Sequence, residues 1–281
     1  MAAPAKLAGF AALLVAVFAL ASFAGAAIDP APRSSGEADV EHGGEPAGHG
    51  APQPVRGLAV ADGGLRLALD TPGLPRGART TLRLRILDDD GGAVREFDVE
   101  HERRMHLIVV RRDLTGFQHL HPRLGADGTW SVPVRLDEPG SYRVLADFSH
   151  DGTARTLGAD LRVSGSAALQ PLPAPAPVAE AGGGLRVALD APALRSGREA
   201  DLRFAVTRGG TPVTPQPYLG ARGHLVALRE GDLAFLHVHP VSDDGAAFAV
   251  TFPSAGRYRL FLQVRVDGRV RTAPFTVEVP R

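Results

Sequence analysis

The feature that most narrows what this chain can fold into is a repeat. GGLRLALD at Gly63–Asp70 returns as GGLRVALD at Gly183–Asp190, and MHLIVV at Met105–Val110 returns as GHLVAL at Gly223–Leu228. PGSYRV at Pro139–Val144 returns as AGRYRL at Ala255–Leu260. The order is kept, and the offset drifts only from 120 to 116 residues. Chance does not hold three segments in register, so the chain carries two copies of one block of about one hundred residues.

Each block alternates apolar and polar positions with period two. Leu65, Leu67 and Leu69 do so, as do Leu82, Leu84 and Ile86, Trp130, Val132 and Val134, and Tyr258, Leu260, Leu262, Val264 and Val266. Gly, Asp and Pro punctuate these runs at the spacing of short antiparallel strands. Tyr142 and Tyr258 follow a turn at the start of a late strand, the place of a tyrosine corner. The expected fold is all-β: two tandem immunoglobulin-like (cupredoxin-like) antiparallel sandwiches after an N-terminal hydrophobic helix. The expected boundaries are a leader at 1–28, a flexible tether at 29–54, repeat 1 at 55–165, a Pro-rich linker at 166–181 and repeat 2 at 182–281.

The leader reads as an address. Leu7–Ile28 holds 22 residues without a charge, preceded by Lys6. As a helix it would be roughly 33 Å long, enough to cross the hydrocarbon core. Ala24-Gly25-Ala26 also offers a signal-peptidase pattern. The length favours an anchor over a cleaved signal, and both put the rest of the chain outside the cytoplasm, on the cell membrane or secreted. The tether has too few large apolar residues to offset its ordering entropy; its His42 and His49 read mainly as spacer. Lys plus Arg (31) equals Asp plus Glu (31), and no basic run stands out, so nucleic acid is not an expected partner. There is no cysteine, so any metal must be held by His, carboxylate, Met or backbone oxygen.

The chemistry concentrates in histidine. GFQHLHP at Gly116–Pro122 returns as AFLHVHP at Ala234–Pro240, each downstream of a strand that begins with His106 or His224. If the two strands of the first copy pair symmetrically, His106 faces His121, and His119 shares their side of the sheet. His224, His237 and His239 repeat the arithmetic. Each triplet is then a candidate site for Cu(II), with Zn(II) the alternative, because both take neutral imidazole. His101, His150, Glu100, Glu102 and Asp147 are possible fourth ligands in the first copy. The competing explanation is structural: the imidazoles brace the hairpins by bonding to carbonyls. No phosphate loop, nucleophile elbow or His-Glu-x-x-His occurs, so an enzyme is not expected.

HERRMHLIVVRRDLTGFQHLHP (His101–Pro122) resembles the bacterial extracytoplasmic His-x-His-Pro β-sandwich proteins, the YtkA-like and heavy-metal-associated envelope proteins, and distantly the CopC-like carriers. Gly223–Pro240 shares the resemblance more loosely. It implies an exported β-sandwich and, more weakly, copper handling. CopC-like carriers use a His near the mature N-terminus, and this chain has none directly after a cleavage point. The expectation is therefore a metal-binding envelope protein for sequestration or delivery, with an envelope protein as partner. The alternative is a non-catalytic interaction module with structural histidines.

Overall fold

Alternation in the sequence becomes alternation of burial in the strands. A computed structural model describes residues 55–236, 238–241 and 246–281; the leader and the tether lie outside them, as does the expected span at Leu7–Ile28. Among the described residues no helix is long and apolar enough to cross a membrane. Repeat 1 contains β1 (Ala61–Asp62), β2 (Leu65–Leu69), β3 (Gly73–Leu74), β4 (Thr80–Leu87) and β5 (His106–Arg111). It continues with β6 (Gln118–Leu120), β7 (Arg123–Leu124), β8 (Trp130–Val134), β9 (Gly140–His150) and β10 (Thr153–Val163). Repeat 2 contains β11 (Val178–Gly182), β12 (Leu185–Asp190), β13 (Glu199–Arg208), β14 (Thr211–Pro212) and β15 (His224–Arg229). Then come β16 (Phe235–Leu236), β17 (His239–Pro240), β18 (Ala246–Thr251), β19 (Gly256–Val266) and β20 (Arg269–Val279).

Each repeat is a two-sheet immunoglobulin-like sandwich. In repeat 1 the sheet β1-β2-β4-β8-β7 faces the sheet β3-β10-β9-β5-β6; in repeat 2, β11-β12-β13-β18-β17 faces β16-β15-β19-β20. Leu67, Leu84, Trp130 and Val144 fill the first core, and Val187, Leu202, Phe248 and Leu262 the second. Both tyrosines act as corners: Tyr142 Oη donates to the Glu138 carbonyl (2.8 Å) and Tyr258 Oη to that of Ser254 (2.9 Å).

Two strands break the alternation, and they decide how the repeats meet. Every residue of β5 is buried, and so are the four central residues of β15. Leu107 and Val109 point into their own sandwich, while Ile108 and Val110 point out of it. A strand apolar on both faces needs a cover on each. The cover is the other repeat. Ile108, Val110, Leu145, Val226, Leu228 and Phe261 form a third core between the sandwiches, and Phe117 stacks on Phe261 with ring centroids 3.9 Å apart. Equivalent positions of the two copies contribute to this seam, Ile108 and Val226, and Val110 and Leu228, which is the pattern of a pseudo-twofold contact.

Two further segments tie the seam. The Arg56 carbonyl accepts from the Phe235 amide (3.0 Å) in repeat 2, and Gly57 N donates to Thr156 O (3.0 Å) in repeat 1. The linker docks as well. Arg111 Nη2 donates to Ala168 O (2.7 Å), Gln170 N donates to Asp113 Oδ2 (2.9 Å), and Leu172 is buried in the third core. The two sandwiches accordingly belong to one compact unit.

Candidate metal centre

A tight hairpin aims the histidines of repeat 1 at the seam. Asp113 Oδ1 accepts from Thr115 N (3.2 Å) and Thr115 Oγ1 (2.7 Å), an Asx-type closure, and Leu114 takes the left-handed φ of 64°. Arg111 pairs with Asp113 at 3.3 Å beneath the turn. The hairpin then pairs Leu107 with Leu120, Ile108 with His119 and Val109 with Gln118. Continuing that register by one residue sets His121 opposite His106. His106, His119 and His121 therefore share the face of Ile108, the face that leaves the sandwich core and enters the seam.

The three rings converge. Centroids lie 5.2 Å apart for His106–His119, 5.1 Å for His106–His121 and 4.8 Å for His119–His121. One nitrogen from each lies within 4.8 Å of the other two. Imidazoles sharing a tetrahedral ion at 2.0–2.1 Å would have centroids about 5 Å apart. A cavity of about 30 Å³, room for a single water or ion, adjoins them and is lined in part by His101, His106, His119, Asp147 and His224.

The outer hydrogen bonds decide which nitrogens are donors to a metal. His106 Nε2 faces the Glu100 carbonyl at 3.3 Å, and His119 Nδ1 faces Gln263 Oε1 at 2.7 Å. Both partners are acceptors, an arrangement that matches a proton on each outer nitrogen. The inner nitrogens, His106 Nδ1 and His119 Nε2, face each other across 3.0 Å. Metal-free, one ring donates to the other across this contact; with the proton on each outer nitrogen, both lone pairs are presented to a shared cation. The separation is close to the roughly 3.3 Å spanned by two nitrogens on a tetrahedral Zn(II). His121 Nε2 is buried and has no hydrogen-bond partner among the described residues. Three converging imidazoles, one with a buried nitrogen that has no partner among the described residues, are a donor set that fits Cu(II) or Zn(II).

Burial reinforces the neutral state. Desolvation first, and the neighbouring His106 second, bring His119 down to about 4, partly offset by the bond to Gln263. Desolvation, then His119 and His106, bring His121 to about 3. For His224 the same order, desolvation, then His119 and His106, gives about 2. At neutral pH these rings are uncharged and their lone pairs are available.

Four of the other expected ligands, His224, His101, His150 and Asp147, are placed as follows. The ring of His224 stacks beside the cluster of repeat 1, 5.2 Å from His106 and 5.3 Å from His119. His237 and the side chain of His239 lie outside the described residues; the His239 backbone pairs with Ala249. His101, at a left-handed φ of 48°, stands 5.4 Å from His224 and 6.2 Å from His106. His150 is elsewhere: its Nδ1 donates to the Glu96 carbonyl (2.9 Å) and its ring sits by Phe97. Asp147 is the ladder partner of His106, is buried, and accepts from Thr156 Oγ1 at 2.7 Å. Gln263, which the sequence reading did not single out, is the ladder partner of His224. Its signal was available, because it lies in repeat 2 at the position that Asp147 holds in repeat 1.

The family described as Domain of unknown function (DUF8832) matches residues 59–165 and 179–281. No curated protein matches the chain. Among solved structures, the FdeC adhesin of Escherichia coli is 14% identical with a TM-score of 0.26, over 79% of this chain and 65% of that one. Domains 5–6 of the S-layer protein SbsC are 13% identical with a TM-score of 0.25, over 76% and 96%. A putative membrane-anchored protein from Corynebacterium diphtheriae is 9% identical with a TM-score of 0.25, over 78% and 59%. The chain thus spans less than two thirds of the adhesin's length. At these values none of the three informs on what the chain does.

Proposed function

We propose that this chain, which belongs to the DUF8832 family through both of its repeats, is an exported protein that binds a transition metal, copper foremost and zinc as the alternative, for sequestration or delivery. The 22-residue uncharged leader supports export, with the fold held outside the cytoplasm on an anchor or released. The role is binding, without turnover. One observation carries the metal: His106 Nδ1 and His119 Nε2 oppose each other at 3.0 Å while their outer nitrogens face acceptors. Copper is favoured over zinc by the general affinity order for nitrogen sites.

Calorimetric titration of the full chain with Cu(II) and with Zn(II) at pH 7.5 tests this. The expected result is one tight site, weakened at least 100-fold when His119 and His121 are both replaced by Ala. The residual binding of that variant reports what the remaining histidines contribute, among them His106, His224 and the tether's His42 and His49. Equal binding by the two proteins would remove the metal reading. If the rings serve only to brace the hairpin, the replacement lowers the melting temperature of metal-free protein and leaves copper binding where it was.

A further inference from the structure

The triplet of repeat 1 does not stand alone in the seam. His224 begins β15 as His106 begins β5, and these equivalent residues meet with centroids 5.2 Å apart. With His119 the His224 ring makes a second approach at 5.3 Å. Both contacts are stacks, with planes 29° and 10° apart, and they set the His224 ring beside the triplet, where it lines the same cavity. The second contribution from repeat 2 is Gln263. Its amide oxygen accepts the His119 Nδ1 proton at 2.7 Å, and its own Nε2 donates to Thr272 Oγ1 at 3.3 Å, so the amide is oriented from both ends. An outer partner of this kind sets the tautomer of a ligand.

The ladder shows why repeat 2 uses an amide here. His106 pairs with Asp147 on β9, and His224 pairs with Gln263 on β19. The carboxylate residues along the cavity, Glu100 and Asp147, both come from repeat 1, and at the ladder position of Asp147 repeat 2 supplies a neutral amide. A further carboxylate would add negative charge to a confined site. An amide orients His119 without doing so.

Resting on the metal-binding reading above, we infer that repeat 2 completes the site of repeat 1: His224 supplies a fourth imidazole, and Gln263 is the positioning residue of His119. The ion is then held across the seam, and its binding is linked to the docking of the two sandwiches. A ligand that requires both partners in place stabilises the docked state by its own binding free energy. The centre is an inter-repeat clamp for a divalent, imidazole-seeking cation.

The test is Cu(II) titration of the full chain, followed by calorimetry and electron paramagnetic resonance, on the unaltered protein, on His224→Ala and on Gln263→Leu. The unaltered protein should show one copper with four-nitrogen coupling. His224→Ala should keep one copper, lose one nitrogen from the spectrum and bind at least 30-fold more weakly. Gln263→Leu should keep the four-nitrogen spectrum but bind about 10–100-fold more weakly, the usual loss for an outer partner. Should His224→Ala fail to fold, His224→Gln preserves a polar side chain and answers the same question. Unchanged affinity and spectrum in the His224 variant would overturn the clamp while leaving the triplet intact. Absence of copper binding by the unaltered protein would overturn both.

Discussion

Mild acid should destabilise the metal-free protein through His119 before the carboxylates respond. The ring is held down at about 4 against an ordinary value of 6.5, chiefly by desolvation. Above pH 6.5 neither the folded nor the unfolded chain protonates this residue, and it makes no pH-dependent contribution. Between 6.5 and 4 the unfolded chain takes up a proton that the folded chain refuses, so stability falls as pH falls. At 1.36 kcal/mol per pKa unit the full loss is about 3 kcal/mol, most of it reached by pH 4.5. Asp113 and Asp232 have lowered values, so their stabilisation is lost only below about pH 4, and the two effects separate. Urea unfolding in the presence of a chelator, at pH 7.0 and pH 4.5, measures the drop. His119→Gln should show a drop smaller by about 2 kcal/mol, with His121 and His224 accounting for much of what remains. A drop of equal size in both proteins would refute the assignment of a buried neutral His119.

Two further outcomes concern the seam. Phe117→Ala and Phe261→Ala should each cost about 2–4 kcal/mol in urea unfolding, with a coupling energy near 1 kcal/mol in the double-mutant cycle; additive single effects would mean the stacked rings do not interact. Gly158→Ala places a methyl 2.2 Å from the Gly57 carbonyl and should dislodge the Arg56–Gly57 strap, at about 1–3 kcal/mol. Accelerated hydrogen exchange at the Phe235 amide reports it, and unchanged exchange there would show that the strap has moved intact.

Much of this architecture was legible in the residues. Period two gave the strands, and PGSY and AGRY gave the two tyrosine corners because the phenol needs a carbonyl four residues upstream. Symmetric pairing around the Asp-Leu-Thr-Gly turn put His106 opposite His121, in line with the observed ladder. The meeting of His224 with the triplet of repeat 1 was not legible, since pairing rules act within a sheet and say nothing about which sheet covers which. A clue existed in MHLIVV and GHLVAL, apolar at consecutive positions where a half-exposed strand would alternate. Similarly, the Pro-rich linker read as a spacer, yet Arg111 and Asp113 pin it, through bonds to backbone atoms that composition does not reveal.

The doubly buried β5 has a consequence for the fusion itself. A lone repeat would present Ile108, Val110 and Leu145 to water as a contiguous oily patch, inviting self-pairing or aggregation. Joining two copies in one polypeptide supplies each half with a matched companion at fixed stoichiometry. It also frees the companion's side chains to diverge, as Asp147 and Gln263 have, which a homodimer of identical halves could not permit.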